Sequence, residues 1–458
     1  MFLRNGGPLA AQAGRRAPSR LPAALLAVAV AVAGACDHRE DAPAATARGS
    51  LTVAEALEGE GAAGYARALE PRPFAFPEDH GPHPEFRTEW WYLTGNLETS
   101  EGRRFGYQLT FFRNALAPPP PAGPDPSRRA SPWATRQAWL AHFAVTDAAG
   151  KTFHSGDRLA RGAVGLAGAE LVAGAPGGGS GELRVWVEDW SAEPAPNERA
   201  PEASWTEAPA PDAPGAAPSG TTAGAPNAPG PDDPAVLGTL RLRAGVDGKE
   251  GGGAAVDLRV RPLRPPILNG DAGLSHKGGE AGNASYYYSI PRLATEGTVR
   301  IGGREHGVRG LSWMDREWST SALGPDQVGW DWFSLQLGDG RDLMLYRLRR
   351  RDGTVDPASS GTLVERNGEV RHLDAEDARV EVLDRWESPR SGALYPAGWR
   401  IRVSGAGLGL TVAPVLADQE LDLAALGFRY WEGAVDVEGT SGGRPVAGRG
   451  YVELTGYE

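Results

Sequence analysis

The sequence predicts an all-β protein of two tandem antiparallel β-barrels. Three observations carry that expectation: hydrophobicity alternates with period two, helical periodicity is scarce, and one Trp-rich block recurs. Residues 89–113 (EWWYLTGNLE-TSEGRR-FGYQLTFFR) resemble residues 330–350 (WDWFSLQLGDGR-DLMLYRLRR): aromatic strand, Gly-bearing turn, aromatic strand, Arg. Residues 286–318 resemble residues 430–457, each an aromatic strand, a Gly-Gly turn and a closing strand with Gly and aromatics. The first unit spans about 71–320 and the second about 325–458. Antiparallel sheets of many strands avoid exposed edges by closing on themselves, so two barrels is the economical reading.

Taken in chain order, the first 36 residues read as an export signal. Arg4, Arg15, Arg16 and Arg20 form a basic region, and Leu21–Ala35 is uncharged and too short to cross a bilayer. Ala33-Gly34-Ala35 precedes Cys36, the only cysteine, in the pattern of a bacterial lipobox; a plain signal peptide is the alternative. A single cysteine excludes an intrachain disulfide and a Cys-rich metal site. The expected location is the bacterial envelope, lipid-anchored on the periplasmic side, or outside the cell. Residues 37–70, rich in Ala, Glu and Gly, read as a tether. The chain carries a net charge of −11, and residues 1–35 hold four Arg and no acid, so without them it would stand at −15. Such a chain is a poor partner for a phosphate backbone, which excludes nucleic acid.

Beyond the tether the pattern is that of strands. In GYQLTFFR, Tyr107, Leu109 and Phe111 share one face while Gln108, Thr110 and Phe112 share the other. Gly338-Asp339-Gly340-Arg341 joins two alternating runs as a hairpin turn. Ala117–Ser131 and Ser191–Pro234 interrupt the pattern; the second holds eleven prolines, and an insertion at about 191–235 is predicted to be a disordered, overgrown hairpin loop.

The motifs PEDHGPHPEFRTEWWYLTGNLE, LAHFAVTD, YYYSIPRL, GLSWMDREWST, GWDWFSLQL and RGYVELTGY resemble the AttH-like family, a lipocalin-like group related to the carotenoid 1,2-hydratases (hydroxyneurosporene synthases). The resemblance covers about residues 74–458 apart from the loops. It implies two lipocalin-like barrels and frequent export. Members are often named secreted hydrolases, and some are encoded beside ABC transporter permeases, which implies such a transporter as a partner.

Several constellations could carry chemistry. His80 and His83 have the His-x-x-His spacing of a metal pair, but Pro82 and Pro84 forbid the helix that would aim both rings at one ion. They read as loop histidines, and neither a metal nor a cofactor is expected. Gly310-Leu311-Ser312 approaches a nucleophile elbow, yet Met314 replaces its final glycine and no helix follows. The densest candidate is Met314–Trp318. Alternation puts Trp313, Asp315 and Glu317 on one face and Met314, Arg316 and Trp318 on the other. Carboxylates beside Trp rings inside an apolar barrel would have raised pKa values and could act as general acids; a charge network at the junction of the barrels is the competing reading.

In the hydratase relatives the resemblance implies an acid–base set of a His-x-Trp and a downstream Tyr-x-Asp. Arg316-Glu317-Trp318 and Tyr346-Arg347-Leu348 stand at comparable places, so Trp318 and Tyr346 persist while the His and Asp do not. Trp91, Phe111, Arg113, Tyr287, Trp318, Trp332 and Tyr346 are the candidate ligand-binding residues, with Asp315 and Glu317 as candidate catalytic ones. Two functions remain: an envelope protein that binds or presents a hydrophobic small molecule, or an enzyme that hydrates or cyclises an isoprenoid or polyketide. The missing hydratase residues favour the binding protein. An ionisable side chain of Asp315, Glu317 or Arg113 pointing into a cavity would favour the enzyme.

Overall fold

A computed structural model describes residues 63–119, 131–172, 181–195, 237–248, 252–321, 323–423 and 428–457. The signal, Cys36, most of the tether and most of the proline-rich insertion lie outside the described residues. Among those described, regular structure is β apart from a single turn of 3-10 helix at Glu78–His80.

The first sheet opens with β1 (Thr88–Glu98), β2 (Arg104–Ala115), β3 (Gln137–Asp147), β4 (Thr152–Arg161), β5 (Ala167–Val172) and β6 (Glu182–Val187). It continues with β7 (Trp190–Pro194), β8 (Leu240–Val246), β9 (Ala254–Pro262), β10 (Ile267–Leu268), β11 (Leu274–His276), β12 (Ala284–Ile301) and β13 (Arg304–Ser319). The second sheet comprises β14 (Gln327–Leu337), β15 (Asp342–Arg350), β16 (Ser360–Val364), β17 (Val370–Asp374) and β18 (Ala378–Glu387). It closes with β19 (Leu394–Val403), β20 (Leu408–Pro414), β21 (Glu420–Leu423), β22 (Phe428–Ser441) and β23 (Arg444–Thr455). All pairings between these strands are antiparallel.

The strand orders are β4-β3-β2-β1-β13-β12-β9-β8-β7-β6-β5 and β17-β16-β15-β14-β23-β22-β20-β19-β18. These are two tandem lipocalin-like barrels, the first nearly closed and the second a half-barrel. The repeat is visible in the pairing: β1 lies between β2 and β13 as β14 lies between β15 and β23. At the insertion, β7 runs on to Pro194 and pairs with β8, so Ser191–Pro194 belong to the sheet rather than to a loop.

Inward-facing side chains fill each barrel. Tyr107, Leu109 and Phe111 join Trp91, Met314 and Trp318 in the first core; Phe333, Leu335 and Trp399 lie in the second. The segment ahead of β1 adds Ala68, Phe74, Phe76 and Phe86 to the first core, with the Tyr286 hydroxyl donating to the Glu70 carbonyl at 2.9 Å. A third cluster lies between the barrels and joins Tyr92, Tyr287 and Trp313 to Trp332, Met344 and Tyr346. Both faces of β1, of β14 and of β13 from Ser312 onward are therefore buried, which explains near-continuous apolar runs in strands that would alternate strictly beside water.

Charged and polar bonds lock the junction. Arg292 Nε meets Asp342 Oδ1 at 2.8 Å, Arg104 Nη2 meets Asp436 Oδ1 at 2.7 Å, and Asn96 Nδ2 donates to the Gly450 carbonyl at 3.0 Å.

Candidate functional site

A cavity of about 140 Å³ opens between the barrels, against the outer faces of β1, β2 and β13 on one side and of β14, β15, β22 and β23 on the other. It is comparable to a cavity of about 150 Å³ that accepts one benzene ring. Trp90, Tyr92, Phe112, Trp330, Trp332 and Tyr430 give it an aromatic lining.

Two cross-strand rows build its walls, because directly opposed residues of antiparallel strands share a face. On the first sheet the row is Ser289, Asp315, Tyr92, Thr110 and His142. On the second it is Tyr346, Trp332, Glu453 and Glu432. Bonds across the junction join them. The Tyr92 hydroxyl donates to Glu432 Oε1, Trp332 Nε1 donates to the Tyr287 hydroxyl at 3.1 Å, and His142 Nδ1 bonds the Tyr430 hydroxyl at 2.6 Å.

Asp315 is buried beside this cavity. Its Oδ1 accepts from Ser289 Oγ at 2.6 Å and Trp313 Nε1 at 2.7 Å, and its Oδ2 from the Tyr287 hydroxyl at 2.7 Å. Burial pushes its pKa up to about 7; the three hydrogen bonds pull the other way, and the Glu317 charge adds to the rise. Glu453 is pushed up to about 8, again chiefly by burial, with Trp330 Nε1 donating to its Oε1 at 2.9 Å and opposing the rise. Glu432 is raised by burial and by Glu453 beside it.

Glu317 instead pairs with Lys277, Nζ to Oε1 2.9 Å. Burial alone would lower the Lys277 ammonium, but Glu317 outweighs it and the pKa is raised. That ammonium lies 4.4 Å from the centroid of the Tyr346 ring, a cation–π contact. His142 is held neutral, its pKa lowered to about 3 by burial.

The structure brings together five of the sequence-derived candidates here: Asp315, Glu317, Tyr287, Trp332 and Tyr346. Trp91, Phe111, Arg113 and Trp318 do not line this cavity; they point into the first barrel, on the opposite face of the same sheet. Register separates the two sets. Trp91 opposes Arg316 and Phe111, whereas Tyr92 opposes Asp315 and Thr110. The carboxylates accordingly sit between the barrels and not inside one.

Arg113 and Arg316 hold a different group, Glu89. Both guanidinium groups bond its carboxylate, the His83 amide donates to it at 3.0 Å, and all three charged side chains are sealed from solvent. Burial works against the Glu89 charge, yet Arg316 and Arg113 keep its pKa well below the carboxylate range. His83 stacks on Trp318 at 3.8 Å between centroids and bonds Asp79 at 3.0 Å; His80 bonds the Tyr288 hydroxyl at 2.6 Å. These histidines brace the mouth of the barrel.

Sequence reasoning passed over Glu432, Glu453, His142 and Lys277. The repeat held the signal for Glu453: aligned through β1 and β14, Tyr92 matches Trp332, and their partners Asp315 and Glu453 then match as well. No comparable pattern marks Lys277, which comes from the connection after β11.

The fold and its junction cavity define a tandem lipocalin-like protein. The AttH-like family profile matches residues 67–210 and 232–457, and the chain belongs to that family. A solved structure from Nitrosomonas europaea, assigned to AttH, is 30% identical over 86% of this chain and 100% of its own, with a TM-score of 0.64. Kievitone hydratase from Nectria haematococca shares the fold at 16% identity, 86% and 98% coverage and a TM-score of 0.55. No curated protein sequence matches.

Proposed function

We propose that the protein is an acid–base enzyme of the hydro-lyase type, adding water across a double bond of an apolar substrate whose end enters the junction cavity. One observation carries this reading: Asp315, with a pKa near 7, reaches the cavity through the Tyr287 hydroxyl. A group with a pKa near ambient pH can both give and take a proton. Water attacking a substrate cation sheds a proton to Tyr287, whose own proton passes to Asp315; in the dehydrating direction the same carboxyl is the acid. The cavity takes about one ring or one branched alkenyl end, so a long substrate would leave its remainder outside.

A carrier of a hydrophobic molecule, handing it to an ABC transporter, needs the aromatic lining alone. It leaves several un-ionised acids without a task. Residues 1–36 support an envelope location with Cys36 lipidated.

The test is incubation of the full-length protein, in detergent, with a prenylated phenol in D₂O. The expected product is heavier by one D₂O. Asp315→Asn, which preserves shape, should fold and lose roughly 100-fold or more in rate. A wild type that retains the phenol and returns it unchanged is a carrier.

A further inference from the structure

We infer that Glu453 is the proton donor of the cavity, a catalytic acid facing the substrate from the wall opposite Asp315. This rests on the reading of the cavity as a site of water addition, and supplies the half of that reaction that Asp315 does not.

Four carboxyl groups line the cavity, and three are committed. Asp315 accepts three hydrogen bonds, Glu317 is paired with Lys277, and Glu432 is buried with one oxygen on the Tyr92 hydroxyl. Glu453 accepts one described hydrogen bond, from Trp330 to Oε1, and keeps part of its surface accessible. Its neighbour across the β22–β23 register is Glu432, directly opposed to it and on the same face. Burial and the Glu453 charge raise Glu432, so the two do not ionise together.

The groups around Glu453 reinforce this. Glu432 and Tyr430 come from β22, Asp315 and Glu317 from β13, Tyr92 from β1, and the cation Lys277 is held by Glu317. Burial is the largest influence and pushes Glu453 up to about 8, and the Asp315 and Glu317 charges add to the rise.

The Glu453 O–H bond breaks and its proton goes to the alkene carbon, while the π pair becomes the new C–H bond. The water lone pair closes the C–O bond to the cation, and the water's excess proton passes through Tyr287 to Asp315. Exchange with bulk water then restores both carboxyl groups, and the net change is one water added.

Infrared spectroscopy of the full-length protein in detergent, titrated with pH, reads the carboxyl C=O stretch directly. The wild type should show a component that persists at pH 7, disappears as the pH rises past about 8, and is missing in Glu453→Gln. With the prenylated phenol, Glu453→Gln should lose roughly 100-fold or more, and Glu453→Asp should recover part of it. A Glu453 already ionised at neutral pH overturns the inference. So does turnover that Asp315→Asn abolishes and Glu453→Gln keeps within a few fold, an outcome that leaves the water-addition reading intact. A wild type inert towards the phenol overturns that reading, and this one with it.

Discussion

Asp315 and Glu453 occupy the same position of two structural repeats. Asp315 on β13 opposes Tyr92 on β1, and Glu453 on β23 opposes Trp332 on β14. Each is an outward-facing acid on a barrel's closing strand. Packing the outer faces of the two barrels together brings both acids to one cavity. A single barrel would leave either acid in water with an ordinary pKa; only the pair of barrels provides the desolvation that raises both.

Those raised pKa values tie stability to pH. The folded protein holds the Asp315 proton up to about pH 7 and the Glu453 proton up to about pH 8, against 3.8 and 4.5 as reference values. Their contribution is complete below about pH 4 and is lost as pH rises through 7–8; for Asp315 it is of order 4 kcal/mol. Asp79, lowered to about 2, and Glu89, also lowered, act in the opposite sense and lose their contribution as pH falls below the reference range. Urea unfolding should therefore show maximal stability near pH 5 and a lower midpoint at pH 8.5. Asp315→Asn should flatten that decline; an equal slope in wild type and variant contradicts the assignment.

The second prediction concerns Glu89. Glu89→Gln removes the charge between two sealed guanidinium groups, Arg113 and Arg316, and should cost about 3–5 kcal/mol. Combining it with Arg316→Met should recover part of the loss, because the double variant buries one charge fewer. Denaturant midpoints measure both. A single-variant cost below about 1 kcal/mol would mean that the guanidinium groups find water or other acceptors.

Much of this arrangement was legible in the sequence. Period-two alternation at 313–318 separated Asp315 and Glu317 from Arg316 and Trp318, and the structure keeps that division. Trp91, Phe111 and Arg113 were harder to place. Alternation fixes parity within a strand but not which face of one strand matches which face of the next; that depends on register. Nor does parity tell inside from outside when both faces are apolar, as in WDWFSLQL, where Trp332 meets the junction and Phe333 the second core. Lys277 lies outside regular alternation, and only the tertiary fold sets its ammonium beside Glu317.

Anchoring gives the third prediction. With Cys36 lipidated, the wild type should partition with membranes, and Cys36→Ser should move it to the soluble periplasmic or culture fraction. Fractionation with mass spectrometry of the mature N-terminus measures this. A variant that stays with membranes, together with a wild type lacking acyl chains, contradicts the lipobox reading.

The last prediction separates proton relay from scaffolding at Asp315. Tyr287 and Ser289 each donate one hydrogen bond to its carboxyl, at 2.7 Å and 2.6 Å, but Tyr287 lines the cavity and Ser289 stands behind it. Tyr287→Phe keeps the ring and removes the hydroxyl, leaving Trp332 Nε1 without that acceptor, at a cost of roughly 1–3 kcal/mol. Ser289→Ala costs a similar amount, and losing a bond that stabilises the carboxylate raises the Asp315 pKa further. If Tyr287 carries the proton, Tyr287→Phe should lose roughly 100-fold in turnover of the prenylated phenol, while Ser289→Ala should keep most of it with a pH profile displaced to higher pH. Equal losses in the two variants, with unchanged pH profiles, would assign both hydroxyls to holding Asp315 in place and remove Tyr287 from the proton path.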